Sequence, residues 1–317
     1  MRREGSPWTG LGAVFQRELA DNLLSVRMRL MEVLVILTGT AAVYAAIGEI
    51  KQTIGEGPFV FLRIFTVARE PLPSFITFLA FLIPIVAISL GFDSINGEFN
   101  RRTISRILAQ PIYRDALLFG KYLAGLATLA IFLAALWLFL MGLGILLLGV
   151  APSGEEIVRG IGFLLAALAY GGVWLAVALL FSIMFRAPAT AALAALSLWL
   201  LFAVFWAMIV PLVSEALVPV DPYDPRSQMA AVNTTLALNR LSPNTLFAET
   251  TLALLNPGTR ALGPVFAFQL HGALVGAPLP AAQSFLLIWP QLTGLLAGLI
   301  VLFTIGYVLF QRQEIRA

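Results

Sequence analysis

The chain holds no cysteine and a single histidine, His271. Without thiols there are no disulfides, no thiolate-bound metals and no S-acylation. One imidazole, no HExxH pattern and no pair of ionisable groups within an apolar run leave little from which a membrane-embedded enzyme assembles a site. Charge is scarce too. Asp, Glu, Lys and Arg make up 12% of the 317 residues, about half the quarter share of an ordinary soluble domain. The stretches Tyr122 to Val150, Ile161 to Phe185, Ala187 to Ser214 and Ser284 to Gln311 contain none of the four and no histidine. An ion-coupled carrier keeps ionisable groups at mid-membrane to bind and release its ion, so that class lacks its main requirement. Asp93, Glu49 and Glu215 stand at the ends of apolar runs, where solvation is available. A phosphate-cradling loop is missing as well. Gly120 and Lys121 give a Gly-Lys pair, but Asp115 stands where the first glycine belongs and Tyr122 replaces the Ser/Thr.

What is present is apolar. A hydrophobic share of 60% and a mean hydropathy of +0.92 define an integral membrane protein. The net charge of +3 and the pI near 9.5 reflect few acids rather than a polycationic surface, and nucleic acid is not an expected partner. A helix needs about 20 apolar residues to cross a hydrocarbon core of about 30 Å. Six stretches suffice: Leu30 to Ile50, Ser74 to Phe92, Leu117 to Val150, Gly160 to Phe185, Pro188 to Leu217 and Ser284 to Phe310. The polar start, MRREGSPWTG, carries no pattern of a cleaved signal peptide.

Of the 20 Lys and Arg, 13 precede the first span, lie between the second and third or the fourth and fifth, or follow the last. By the positive-inside rule both termini are cytoplasmic, and the multi-pass protein is expected in the cell (plasma) membrane. Before the first span, Leu11, Phe15, Leu19, Leu23, Val26 and Leu30 recur every three or four residues, with Arg17, Glu18, Asp21 and Arg27 on other faces. Residues 11–29 therefore read as an amphipathic helix lying in the membrane interface, either a plain anchor or an anchor that also offers its polar side to a protein. The outer segment, 218–283, is punctuated by VPVDPYDPRS, LSPN, LNPG, LGP and GAPLP. Between these turns QMAAVNTTLALNR and TLFAETTLALL predict short helices, with Ser242 and Pro243 marking a helix start.

The densest charge lies in 93–121, where Gly97 to Lys121 reads GEFNRRTISRILAQPIYRDALLFGK. Ile95 and Phe99 share one helical face, while Ile104, Ile107 and Leu108 fall nearly opposite, so one straight helix is excluded. The spacing predicts that span two runs to about Phe99 and breaks near Asn100 to Arg102. A short helix from Thr103 to Ala109 follows, stopped by Pro111, and a new helix begins near Arg114. Such a segment is either an ordinary basic loop near anionic headgroups or a receiver for a push from a soluble partner.

The order Gly97, Glu98, Thr103, Leu108, Pro111, Arg114, Gly120, Lys121 resembles the cytoplasmic loop of the type-2 ABC exporter permeases, including the nitrous oxide reductase accessory permeases. QREL at Gln16 to Leu19 is similar to their interface helix, LSPNTLFAETTLALLNP to their outer segment, and FQRQEIRA to their C-terminus. Arg102 departs from the pattern by replacing the glycine before Thr103. The resemblance implies an all-α permease forming a single transmembrane domain over 1–317, with six spans, an interface helix, a coupling helix in the cytoplasmic loop and short outer helices. It implies a non-catalytic subunit of an ATP-driven exporter. ATP and Mg are held by a partner ATPase, and a second permease copy or sister subunit completes the complex. Glu98, Arg102, Thr103, Arg106, Pro111, Arg114 and Lys121 would contact the ATPase, with Arg17 and Glu18 on the interface helix nearby. Spans lined by Leu, Ala, Gly, Phe and Trp suit an amphipathic or lipid-like cargo. A lever that passes ATPase motion to an outer partner without moving cargo is the alternative.

Overall fold

Each of the six apolar stretches becomes one long helix in a computed structural model, which describes residues 8–52, 59–67, 74–102, 112–221, 223–262 and 278–313. The spans are Val26–Ile50, Phe75–Asn100, Arg114–Leu148, Gly154–Met184, Pro188–Leu217 and Ala281–Arg312. No strand occurs among the described residues. In chain order the helices are α1 (Leu11–Leu24), α2 (Val26–Gln52), α3 (Val60–Thr66), α4 (Phe75–Gly91) and α5 (Asn96–Asn100). Then come α6 (Arg114–Leu148), α7 (Gly154–Met184) and α8 (Pro188–Leu200). A π-helical turn, Leu201–Phe205, joins α8 to α9 (Trp206–Leu217) within the fifth span. The rest are α10 (Pro225–Asn239), α11 (Pro243–Leu255) and α12 (Ala281–Arg312).

The fourth span, α7, is the axis of the bundle. In its most apolar window 78% of residues are buried, against 11% for α12 and 17% for the fifth span. It packs against α4, α6, α8, α11 and α12. Helices in lipid associate through close backbone approach rather than through the hydrophobic effect, and Gly171 and Gly172 permit that approach. A Cβ on Gly172 would lie 2.7 Å from Leu299 Cδ1 of α12, and one on Gly171 would collide with Leu129 of α6. Gly142, the other small position singled out by sequence, faces open space, whereas Gly144 meets Ile64 of α3.

Two sequence expectations shift. The helix expected over 11–29 ends at Leu24, because Ser25 turns extended (φ −66°, ψ 141°) and its Oγ accepts from Met28 N while donating to Asn22 O. One hydroxyl thus closes α1 and caps α2, and Val26 and Leu30 stand exposed on the first span rather than continuing the packed stripe. The second span ends at Asn100, as expected, but with an interruption that the sequence did not predict. A turn over 92–95 separates α4 from the single helical turn α5.

At the end of the bundle away from the chain termini, α7 begins with a capping box. Ser153 Oγ accepts from Glu156 N, and Glu156 Oε2 accepts from Ser153 N at 2.7 Å. The same carboxylate accepts from Phe61 N at 2.9 Å and Leu62 N at 3.3 Å, so it also caps α3. One turn on, Arg159 is fully buried. It pairs with Glu155 at 3.0 Å and donates to Leu254 O at 2.9 Å, to Ser284 Oγ at 3.0 Å and to Leu279 O. A buried charge persists only when its donors are satisfied. Here the satisfaction ties α11 and the start of α12 to α7. The predicted start of α11 at Ser242 and Pro243 is as observed, and α10 begins at Pro225 under an Asp224 cap. The α10 helix lies along α9 through Trp206 Nε1 donating to Leu238 O and Thr235 Oγ1 donating to Ser214 Oγ.

Candidate functional site

The opposite end, which gathers α1, α5, the start of α6 and the end of α12, carries the sequence-predicted charges. Its centre is Lys121 on the second turn of α6. The ammonium lies 2.6 Å from Glu18 Oε1 and 2.7 Å from Glu98 Oε1, and the side chain is only 3% exposed. The three charges come from α1, α5 and α6, so an ion network joins all three helices. Gly120 is what lets α1 come close enough. A Cβ there would lie 2.7 Å from Val14 Cγ1 of α1. The Gly-Lys pair therefore works as a backbone notch followed by a cation, and its role is helix docking. Glu18, expected on the polar side of α1, instead belongs to the packed side with Val14.

Arg114, at the first position of α6, donates to Gln313 O at 3.0 Å and to Gln311 O at 3.4 Å. Its neighbour Asp115 accepts from Tyr307 Oη at 2.8 Å and from Gln311 Nε2. Gln313 Nε2 in turn donates to Ile183 O of α7 at 2.6 Å. The end of α12 is thus held by α6 and α7. Asn96 and Asn100 of α5 donate to Phe185 O and Arg186 O, and Ser182 Oγ accepts from Ile95 N and Asn96 N. Arg27 pairs with Asp93 at 3.1 Å and lies over the Phe92 ring. A cleft of about 670 Å³ opens between α5, the Phe185–Arg186 link and Gln313.

Arg101 and Arg102 are exposed on the turn after α5. Arg102 adopts φ 55°, the left-handed conformation that a glycine would hold without strain. The missing glycine has not removed the turn; the arginine makes it. Thr103, Arg106, Pro111 and the helix expected from Thr103 to Ala109 lie outside the described residues. Arg17 is exposed and, among the described residues, forms an ion pair at 3.7 Å with Asp21 one turn away. Sequence reasoning missed Asp115 as a brace and Ser182 as the cap of α5. Among the described residues no group of three His, Cys, Asp or Glu stands close enough to hold a metal ion.

Five hydrophobic spans packed around a sixth, buried one, with a braced, basic turn between the second and third, define an all-helical multi-pass membrane protein. The model of the ABC-2 family transporter proteins matches residues 13–315, and the chain belongs to that family. It is similar to the probable ABC transporter permease protein NosY of Stutzerimonas stutzeri, 29% identical over 44% of this chain and 50% of that protein. It is also 29% identical to the probable ABC transporter permease protein NosY of Pseudomonas aeruginosa, over 62% of this chain and 66% of that protein. The matched regions therefore span between half and two-thirds of those relatives. The chain is therefore a multi-pass membrane protein of the ABC-2 transporter family.

Proposed function

We propose that the end carrying Lys121 is cytoplasmic and receives the stroke of a separate ATPase, which holds the ATP and Mg, while this chain carries no catalytic site. The membrane is the plasma membrane, and two permease copies, or this chain and a sister subunit, flank the path. The observation that carries the reading is the Lys121–Glu18–Glu98 network. A push on the loop between α5 and α6 cannot move α5 without moving α1 and α6. Contact falls to Arg102 and to Thr103, Arg106 and Pro111, while Glu98, Lys121 and Glu18 pass the displacement on and Arg114 carries it to α12. Arg17, exposed on the outer side of α1, adds an interface contact. The cargo is an amphipathic or lipid-like molecule, and the direction is export, consistent with spans that hold no ion relay.

The test is co-purification with a candidate ABC ATPase subunit co-expressed with this chain. Arg102→Glu together with Arg106→Glu is expected to abolish it while membrane insertion survives, and unchanged co-purification overturns the coupling role. Reversing Glu98 is a poorer probe, because it would set two cations side by side and break the brace.

The tight keying of α3 and α11 to α7 through Glu156 and Arg159 favours, as a second reading, a lever that transmits motion to an outer partner. Reconstituted vesicles separate the two: ATP-dependent movement of an amphiphile supports the permease, and ATP turnover without movement supports the lever.

A further inference from the structure

The fifth and sixth spans both pack on α7 yet share almost no contact with each other. Between them lies a cavity of about 420 Å³, floored by Trp174 and Val177 and walled by Phe202 of the π-helical turn and by Gly298 and Leu302 of α12. Leu246 of α11 roofs it, and Arg240 stands at that end. Along α12 the lining runs from Gly294 to Leu302, about 12 Å at the helical rise. That is a little under half of the hydrocarbon core of about 30 Å. A Cβ on Gly298 would meet nothing within 4 Å, so this glycine keeps the slot open rather than admitting a neighbour. A π-turn in the wall is the sort of irregularity that recurs at binding sites.

The roofed end is polar. Glu249 accepts from Arg240 Nε at 3.0 Å and from Gln291 Nε2 at 2.7 Å, which fixes the guanidinium, and Arg240 Nη2 donates to Leu262 O. Nη1 of Arg240 has no partner among the described residues, and Arg240 is 35% exposed. Ser242 Oγ and Gln291 Oε1 are buried without a hydrogen-bond partner among the described residues, but neither residue lines the cavity. Arg240 brings a charged head to the cavity lining, and guanidinium geometry suits phosphate or carboxylate oxygens.

The geometry points to a side-entry site for a single-tailed anionic amphiphile, its acyl chain in the slot between the fifth and sixth spans and its acidic head on Arg240. This deepens the proposed cargo class and rests on that reading only for its meaning in transport. Binding itself needs neither ATP nor the ATPase, so its failure is distinguishable from failure of the coupling role.

The test places the full chain in nanodiscs of zwitterionic lipid. Two photoreactive probes share one diazirine-bearing tail, a lysophosphatidic acid and a monoacylglycerol, and cross-linked peptides are mapped by mass spectrometry. The phosphate-bearing probe is expected to label the segments around Val173–Val177 and Gly294–Leu302. Gly298→Leu, which fills the slot, should abolish that labelling. Arg240→Gln should reduce it about tenfold, the effect of one charged hydrogen bond, while leaving monoacylglycerol labelling unchanged. Equal labelling by both probes in the unaltered chain reduces the slot to hydrocarbon filling and overturns the proposal. So does labelling that survives Gly298→Leu, or none at all, as when a second protomer covers the gap. Displacement of the probe by inorganic phosphate alone would show a head site without a tail site, and equally overturns it.

Discussion

Lys121 and Glu18 stand 103 positions apart in the chain, and their charged atoms are 2.6 Å apart. With Glu98 on the other side of the ammonium, one buried cation holds two carboxylates. Removing the cation alone should be worse than removing the network. Lys121→Met is expected to cost about 3–5 kcal/mol, because two carboxylates are left facing each other away from water. Lys121→Met with Glu18→Gln and Glu98→Gln should recover most of that loss. Thermal melting in detergent measures stability. ATPase co-purification of the triple variant then shows whether the charges serve coupling beyond holding the helices.

Gly120→Ala should push α1 off α6, since the new Cβ would lie 2.7 Å from Val14 Cγ1. Overpacking of this kind costs about 1–3 kcal/mol. Val14→Ala in the same chain is expected to restore the fit. A protease site introduced at the α1–α2 junction reports the change as faster cleavage in the single variant and near-normal cleavage in the double.

The sequence made the six spans legible because a span is a local composition over about 20 residues, and it made the start of α11 legible through Ser242 and Pro243. It did not reveal that Glu18 faces inward. Glu18 lies three residues past Phe15, on the edge of the apolar stripe, and only Lys121 across the gap makes that edge a buried one. Arg159 was equally opaque, since backbone carbonyls of Leu254 and Leu279 leave no trace in residue identity. The Ser153–Glu156 capping box has a local Ser-x-x-Glu pattern that went unread in the sequence, and its second task, capping α3, has no local signal at all. The left-handed Arg102 is a reminder that a family glycine can be absent while its backbone shape persists.

Arg102→Gly should relax that turn by about 1 kcal/mol, with part of the gain offset by the greater freedom of glycine in the unfolded chain. A small rise in melting temperature is expected, together with weaker ATPase co-purification if the charge is a contact. A fall in melting temperature would mean that the arginine side chain stabilises the turn.

Arg159→Lys is expected to be nearly as damaging as Arg159→Met. A single ammonium cannot reach Glu155, Ser284 Oγ and two carbonyls in the fixed fork that the guanidinium provides. Both should lose about 3–5 kcal/mol, read as loss of the monodisperse peak in fluorescence-detection chromatography.

The partners of Arg159 also set an order of events during synthesis. Leu254, Leu279 and Ser284 are translated 95 to 125 residues after the arginine that needs them. At about 5–20 residues per second that is a wait of about 5–25 s. For that interval the nascent α7 carries a charge whose final ligands do not yet exist, so the central helix of the bundle cannot reach its finished environment until the last helix leaves the ribosome. A chain that stops short of α12 is thus expected to be a substrate for membrane proteolysis.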